Sequence, residues 1–325
     1  MFAISASSQK YLGTETRFCQ SSVQLFLSQC LPQWSSLDPR SWVALLGDLP
    51  STIDALELSS IAVSAAVVGR MIQNTNLVRE SLTYYTLGLR QLQRALNKAN
   101  LAQEDGTLAA CMALSLYEAL ECPNSASKGY YEHCNGLMAL IQIRGAHAHS
   151  LGAGHKLFLG VRIPGILHAL NHNSSTILSE PIWMEQPWSI LPKLPFDRVA
   201  DCLAKAPGIL NRVPLLFSLD PNQQLDLIRE LVYQCLEIDM ALKQIDDDLR
   251  LATSGDLYWP VSSKMKLNPL DDNHSGSNYF PITFNFIDLE IAKTLILLWA
   301  TWTMLWSGLC NLYQHFDIIA AAGGL

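Results

Sequence analysis

Two apolar helices joined by a short turn, between Asp105 and Gly145, constrain the fold more than any other stretch of this sequence. The first helix has Asp105 as its predicted N-cap, and alanines fill most positions between its large apolar side chains. Those large side chains recur at helical spacing, at Leu108, Met112, Leu116 and Leu120. Pro123 ends this helix, because proline cannot continue the hydrogen-bond ladder. The second helix is predicted from about Tyr130 to Arg144, and the pair predicts a helical hairpin buried in the middle of a domain.

Three groups of residues, in order along the chain, carry a resemblance to a known family. They are Leu116, Tyr117 and Glu118, then Tyr130, His133, Gly136, Leu140, Ile141, Arg144 and Gly145, then Ser179, Glu180, Pro181, Trp183, Pro187 and Trp188. In this order and spacing the sequence resembles the regulatory, or middle-homology, domain of fungal zinc-cluster transcription factors, over essentially the whole chain. It departs from that pattern at Tyr130, where a tryptophan is usual, and at Ala146, where a proline is common.

The resemblance implies a protein that acts in the nucleus, forms dimers and responds to a small-molecule effector or a partner in a helical cavity. Residues at the matching positions are expected to line that cavity or to form the structural signature of the fold. They are Tyr117, Glu118, Tyr130, His133, Arg144, Trp183 and Trp188. The resemblance also implies that the sequence is incomplete at its front and short at its back.

Helical periodicity runs through the rest of the chain, and strand-like alternation is not sustained. We therefore predict one all-α domain over residues 1–325, an irregular multi-helix bundle or array of helical hairpins. Its N-terminal half is 1–173, and its C-terminal half is 198–325. Between them, residues 174–197 hold four prolines and two tryptophans, which predicts an extended connector.

Individual helices are predicted at Phe2 to Ala6, Ser21 to Leu31, Ile53 to Gln73, Leu77 to Asn97, Lys156 to Asn171 with a break or kink near Pro164, Arg198 to Lys205, Ile209 to Phe217, and Asn222 to Ala252. For the last of these, Asp220 is the predicted N-cap and Pro221 lies in the first turn. Tyr258 to Asn278 is polar and contains proline, serine and asparagine, which predicts a mobile loop.

The final helix, predicted from Phe286 to about Phe316, has no charged residue between Thr294 and His315. That length is enough to span a bilayer. Threonine, serine, cysteine and asparagine are distributed through it, so a core helix is the preferred interpretation and no membrane contact is expected.

The charge balance opposes direct DNA binding by this segment. The net charge is -7 and only 16% of residues are charged, compared with about a quarter in typical domains. Phosphate contact requires clustered lysine and arginine. No two of the eight cysteines are two residues apart, which excludes the zinc-cluster module within these residues. The cysteines are expected to be reduced thiols of an intracellular protein.

Candidate chemical groups are few. His168 and His172 are four residues apart on a predicted helix, and this spacing can place two imidazoles on one metal. No third ligand is evident, so we prefer to interpret them as histidines on the helix surface. His147, His149 and His155 lie in or beside a glycine-containing loop and could transfer protons. His133 is expected to anchor two helices by a hydrogen bond, and Glu118 and Arg144 are expected to form a buried ion pair.

No nucleophile elbow, phosphate loop or dinucleotide fingerprint is present, so the sequence predicts no catalytic residue, cofactor or metal and leans against an enzyme. The resulting hypothesis is the regulatory domain of a fungal transcriptional regulator, in the nucleus or alternatively the cytoplasm. Two alternatives stay open: a fold member reused as a small-molecule binder or enzyme in a fungal biosynthetic pathway of secondary metabolism, and a scaffold that forms homo- or heterodimers.

Overall fold

The computed structural model describes residues 25–26, 40–49, 53–121, 126–262 and 282–323, with the side chains of 126–131, 322 and 323 excepted. The helix predicted at Phe2 to Ala6 lies outside these residues. So does the helix predicted at Ser21 to Leu31, apart from Leu25 and Phe26.

Helices dominate the described residues, which confirms the predicted all-α class. The α-helices are α1 (Asp54–Met71), α2 (Thr75–Leu96), α3 (Ala99–Ala102), α4 (Asp105–Glu121), α5 (Ala126–Arg144), α6 (Gly152–Asn171), α7 (Pro181–Glu185), α8 (Pro195–Arg212), α9 (Pro221–Ala252) and α10 (Leu289–Gly323). Turns of 3₁₀ helix lie at Trp42–Gly47, Ala146–His149, Ile177–Ser179, Gln186–Trp188 and Val213–Ser218. Two strands, β1 (Tyr258–Ser262) and β2 (Ile282–Phe286), complete the set.

The contacts divide the chain into two units, Met1–Pro192 with Ala204–Asn211, and Lys193–Leu203 with Arg212–Leu325. In the first unit, α1 packs against α2 and α4, and α4 packs against α5. The helix α4 is buried along nearly its whole length, as its alanine-rich sequence predicts. Small side chains allow this close packing: a Cβ at Gly88 would lie 3.3 Å from the Leu114 side chain and 3.5 Å from the Ser59 nitrogen.

The connector prediction for residues 174–197 is wrong in part. The segment forms the short helices Ile177–Ser179, Pro181–Glu185 and Gln186–Trp188 rather than an extended chain. Prolines do not prevent this, because Pro181 and Pro187 occupy the first turns of their helices, where no backbone N–H donor is needed. The helix α6 also continues past Pro164 without a break.

The second unit contains a long helix whose start was predicted correctly. The Asp220 side chain accepts a hydrogen bond from the Gln223 backbone N–H at 3.0 Å, so Asp220 is the N-cap of α9. The helix α9 packs against α10, and its buried side chains recur at alternating spacings of three and four residues, at Ile228, Leu231, Cys235, Ile238, Leu242, Ile245 and Leu249.

Three other predictions for this half of the chain need correction. The two helices predicted at Arg198 to Lys205 and Ile209 to Phe217 are one helix, α8, that passes through Pro207 and is followed by a 3₁₀ turn. Tyr258–Ser262 is not a loop but the strand β1, which pairs antiparallel with β2 in the register Tyr258↔Phe286. The helix α10 begins at Leu289 rather than Phe286, because Phe286 belongs to β2 and the Asp288 carboxylate accepts from the Ile291 N–H.

Candidate functional site

A buried carboxylate on α4 joins three helices of the first unit. The Glu118 side chain is 10% exposed, and His133 on α5 donates from Nε2 to its Oε1 at 3.2 Å. Tyr85 on α2 donates its phenolic hydrogen to the same oxygen. The predicted helix-anchoring hydrogen bond of His133 is therefore present. Because a buried carboxylate needs such partners, this group connects α2, α4 and α5.

Tyr117, the neighbour of Glu118, is buried beside this group. Its hydroxyl lies 3.0 Å from the Ser81 hydroxyl, and its ring stacks on that of Tyr85 with centroids 4.6 Å apart. Tyr130 lies in α5, and its side chain is outside the described residues. Tyr117, Glu118 and His133 are thus brought together, as a packed polar group.

The predicted ion pair between Glu118 and Arg144 is wrong. Arg144 pairs with Asp105 and donates from Nη1 to the Gln103 carbonyl at 2.5 Å. The reason is the antiparallel arrangement of the hairpin, which places the last residue of α5 beside the first residue of α4. Glu118 lies thirteen residues further along α4, about 20 Å away at 1.5 Å per residue. Asp105 is therefore the carboxylate that neutralises Arg144.

Cys111, His133 and Glu118 form a row in the order nucleophile, base and carboxylate. The Cys111 Sγ lies 3.9 Å from Nδ1 of His133, whose Nε2 donates to Glu118. A catalytic cysteine must ionise easily. Burial of Cys111 instead raises the pKa of its thiol to about 12, so the thiol stays protonated at neutral pH. The row is a packing contact rather than a catalytic triad.

Alkylation of the purified protein should reflect this protection. We expect iodoacetamide at pH 8 to leave Cys111 unmodified in the folded protein and to label it after unfolding in urea, because only the thiolate reacts. Cys235, whose pKa burial raises to about 11, should behave in the same way. Peptide mass spectrometry provides the measurement. Labelling of Cys111 in the folded protein would contradict the raised pKa of its thiol.

A second group, the aromatic cluster, consists of His149, Phe158, Trp183 and Trp188. The ring of Phe158 on α6 lies at its centre, with centroid distances of 6.0 Å to Trp183, 5.5 Å to Trp188 and 5.4 Å to His149. The guanidinium of Arg162, one turn further along α6, lies 4.5 Å from the Trp188 ring centroid. The structure thus brings together the two predicted tryptophans.

His149 is fully buried in this cluster and is held by one ring nitrogen. Its Nδ1 lies 3.0 Å from the Gly154 carbonyl oxygen, so Nδ1 carries the hydrogen and donates it. The Nε2 atom is then an acceptor, and it is buried with no hydrogen-bond partner among the described residues. Gly154 permits this arrangement, since a Cβ there would lie 2.3 Å from the Ala148 carbonyl oxygen.

The pKa of His149 is lowered, first because burial disfavours the charged ring and then because Arg144 is nearby. The unfolded chain therefore takes up a proton more readily than the folded chain once the pH falls below the ordinary value of 6.5. We expect the free energy of unfolding to decrease as the pH falls through this range. His149→Asn, which keeps a side-chain N–H donor, should remove this contribution when urea unfolding is compared at several pH values. If the free energy of unfolding depended on pH in the same way in the wild type and in the variant, this expectation would be wrong.

His168 in α6 and His172 just after it each bond to a protein oxygen. The rings of His168 and His172 lie 4.2 Å apart, but His168 Nε2 bonds to Asn135 Oδ1 at 2.7 Å and His172 Nδ1 bonds to the His168 carbonyl. Within the described residues, no group of three or more histidine, cysteine, aspartate or glutamate side chains could hold a metal ion. His168 is also largely buried, so its interpretation as a surface histidine is wrong.

Sequence reasoning predicted Trp183 and Trp188 but not their partners. Phe158 and Arg162 had no distinguishing signal, because an aromatic and a cation on one helix are common. His149 was considered only as a proton-transfer group in a loop. The cluster forms because the short helices at Pro181–Glu185 and Gln186–Trp188 return the chain to α6, which no local pattern reveals.

Comparison with known proteins finds similarity to one family over part of the chain. Residues 15–163 match the family model of the fungal specific transcription factor domain, which confirms the predicted resemblance for these residues, whereas the block from Ser179 to Trp188 lies outside the match. An uncharacterized protein of Emericella nidulans is 24% identical over 228 residues, which cover 66% of this chain and 48% of that protein. The chain thus spans about half the length of the curated relative it matches. No solved structure matches the chain.

Proposed function

Since residues 15–163 match the fungal specific transcription factor domain, we propose that the chain is the regulatory domain of a fungal transcriptional regulator. It acts in the nucleus and does not itself contact DNA. The observation that carries this proposal is the family match, which includes the α4–α5 hairpin and the polar group around Glu118. The net charge of -7 supports the absence of DNA contact, because a phosphate-binding surface requires a positive patch.

A reporter assay tests the regulatory role. The chain is fused to a heterologous sequence-specific DNA-binding domain and expressed in a fungal host that carries a reporter gene behind the matching operator. We expect reporter expression to change relative to the DNA-binding domain alone. An unchanged reporter, with the fusion protein detected in the nucleus, would refute the regulatory role.

A separate binding measurement tests the absence of DNA contact. Fluorescence anisotropy with labelled duplex DNA at two salt concentrations should show no binding by the chain without the fusion. Salt-dependent binding would refute this part of the proposal, because counterion release is the signature of phosphate contact.

The structure favours a small-molecule effector through one observation, the unpartnered Nε2 of His149 inside the aromatic cluster. An unsatisfied buried acceptor costs about 1–3 kcal/mol, so a bound hydrogen-bond donor would stabilise the domain. Since His149 is neutral and aromatic rings surround it, the matching effector is an uncharged, flat molecule with an O–H or N–H group.

Native mass spectrometry of the protein purified from a fungal host tests the effector. We expect a small molecule on the wild-type protein and its loss from His149→Asn. The matched control is His172→Asn, outside the aromatic cluster, which should retain the molecule. A protein that carries no molecule in either form would contradict the effector.

The alternative of an enzyme has one geometric candidate, the row of Cys111, His133 and Glu118. The high pKa of the Cys111 thiol opposes it. The alternative of a dimerising scaffold has a structural candidate in the second unit, where a long helix exposes an uncharged face.

A further inference from the structure

The outward face of α2 carries arginines but no carboxylate. Through its buried side chains, α2 packs against α1 and α4. On the other side, exposed positions alternate between spacings of four and three residues and so share one face of the helix, at Arg79, Thr83, Thr86, Arg90 and Gln93. Arg94 is exposed beside them. We name Arg79, Arg90 and Arg94 the arginine row.

The charges of the arginine row are not neutralised by the protein itself. Within the residues that the structure describes, none of the three arginines forms an ion pair, and Arg94 donates only to the neutral Gln91 side chain at 3.4 Å. The one carboxylate in the sequence of α2 is Glu80, which is half-buried. Glu80 directly follows Arg79, and adjacent residues of a helix do not face each other.

Helix stability explains one of these arginines and not the other two. Arg94 lies in the last turn of α2, where the helix dipole stabilises a cation. Arg79 lies near the opposite end, which favours carboxylates instead. Arg90 is four residues before Arg94, and like charges at this spacing destabilise a helix. A carboxylate from outside the chain would relieve both conflicts.

A row of leucines runs beside the arginine row. Leu82, Leu89 and Leu96 recur every seven residues and therefore lie on one side of α2, over about 21 Å of its length. Leu82 is 53% exposed and Leu96 is 41% exposed, and Leu89 is half-buried. Thr86 and Gln93 are three or four residues from these leucines and lie between the two rows. We name the three leucines the leucine row.

An acidic amphipathic helix matches both rows at once. Apolar side chains at seven-residue spacing on such a helix would cover the leucine row, and carboxylates beside them would reach the arginine row. Charged residues that flank an apolar seam select the partner in this way when two helices pack together. Arginine adds geometric specificity, because its guanidinium binds a carboxylate through two parallel hydrogen bonds.

A nucleic acid is a second kind of polyanion that arginine binds. Three arginines and one glutamate give α2 a net charge of +2, whereas the whole chain has a net charge of -7, so the rest of the chain carries -9. A long polyanion extends beyond the arginine row onto this negatively charged remainder, which repels it. A short acidic helix ends where the row ends. Phosphates also make no use of the leucine row, so the surface favours a peptide.

An anionic lipid surface would attract the arginines as well. A helix that lies in the membrane interface inserts its apolar face between the lipids. The apolar face of α2 is already buried against α1 and α4. The middle of its outward face holds Thr83, Thr86 and Arg90 rather than the leucines, which lie to one side. This arrangement favours a partner that packs alongside α2 over a lipid surface above it.

We infer that the outward face of α2 binds an acidic amphipathic helix of another protein. The inference goes beyond the regulatory proposal and does not rest on it, because docking of such a helix does not require control of transcription. An unchanged reporter would not affect it, and the absence of peptide binding would not refute a regulatory role.

Fluorescence anisotropy with a labelled peptide is the first test. The probe contains three copies of the repeat Glu-Leu-Glu-Ala-Leu-Glu-Ala, which favour a helix about as long as α2 with carboxylates on both sides of its leucines. We expect micromolar binding to the wild-type chain that weakens as salt is added. The same peptide with lysine in place of glutamate should not bind. No binding of the acidic peptide at about 0.5 mM protein would overturn the inference.

Two substitutions test the two rows separately. Arg90→Glu should raise the dissociation constant of the acidic peptide at least about tenfold, because like charges then face each other. The matched control is Arg229→Glu, which makes the same charge change at an exposed arginine of α9 and should leave binding intact. Leu82→Gln should raise the constant about fivefold through lost apolar contact.

Circular dichroism shows whether these variants fold. A folded Arg90→Glu variant that binds the peptide as tightly as Arg229→Glu would overturn the inference. Unchanged binding by Leu82→Gln would show that charge alone attracts the peptide and would overturn the helical partner. Duplex DNA and phosphatidylserine vesicles are tested with the same variants. If either bound the wild-type chain but not Arg90→Glu, while the peptide did not bind, the choice of partner would be wrong.

Discussion

Replacing Phe158 by alanine is expected to lower the free energy of unfolding by about 3–5 kcal/mol, the usual cost of removing a buried aromatic ring. Phe158 is completely buried, and its ring contacts His149, Trp183 and Trp188. Alanine would leave a cavity between these rings. The surrounding backbone closes such a cavity only in part, so most contacts would be lost.

Urea unfolding followed by circular dichroism measures this effect. The matched control is Phe217→Ala, because Phe217 is 74% exposed and should contribute about 0.5 kcal/mol at most. Tryptophan fluorescence of the Phe158→Ala variant should also shift to longer wavelength as Trp183 and Trp188 become hydrated. Equal destabilisation by the two substitutions would show that the aromatic cluster is not a core of the first unit.

Replacing Asp105 by alanine is expected to cost about 3 kcal/mol of unfolding free energy. The Arg144 side chain is only 4% exposed, and Asp105 is the carboxylate that neutralises it. Removal of one partner leaves a buried charge without compensation, which costs about 3–5 kcal/mol in fully buried pairs. We expect the lower end of this energy range because the Asp105 side chain is 35% exposed and Arg144 still donates to the Gln103 carbonyl.

The control for this substitution is Asp226→Ala. Asp226 also forms an ion pair with an arginine, Arg229, but both side chains are largely exposed. Pairs of that kind contribute about 0–1 kcal/mol. Thermal or urea unfolding of both variants gives the comparison. If Asp105→Ala lowered the free energy of unfolding as little as Asp226→Ala does, water would have to reach Arg144.

Local signals in the sequence predict the helices well, since they act within a few residues. Asp220 followed by Pro221 marks the start of α9 because both the cap and the first turn are local chemistry. The alanine-rich sequence of α4 indicates a helix buried on all sides for the same reason. The strand β1 is not predictable in this way, because its five residues do not alternate and their pairing partners are at least twenty residues away.

Contacts between distant residues are the part that sequence reasoning could not supply. Glu118 and Arg144 were matched by charge, but the antiparallel hairpin separates them and gives each a different partner. Likewise, Trp183 and Trp188 were recognised as a pair without Phe158, because their meeting point depends on the path of three short helices. Side-chain chemistry indicates which groups need partners, and only the fold determines which partners they find.

The small β-hairpin between α9 and α10 has a consequence for how this chain tolerates change in length. Its strands hold Ser262 opposite Ile282, so the ends of the intervening residues 263–281 are fixed together by the ladder. Doubling the length of such a connection costs only about 0.6 kcal/mol in closure entropy. Closure entropy alone therefore opposes a longer connection between these two strands only weakly.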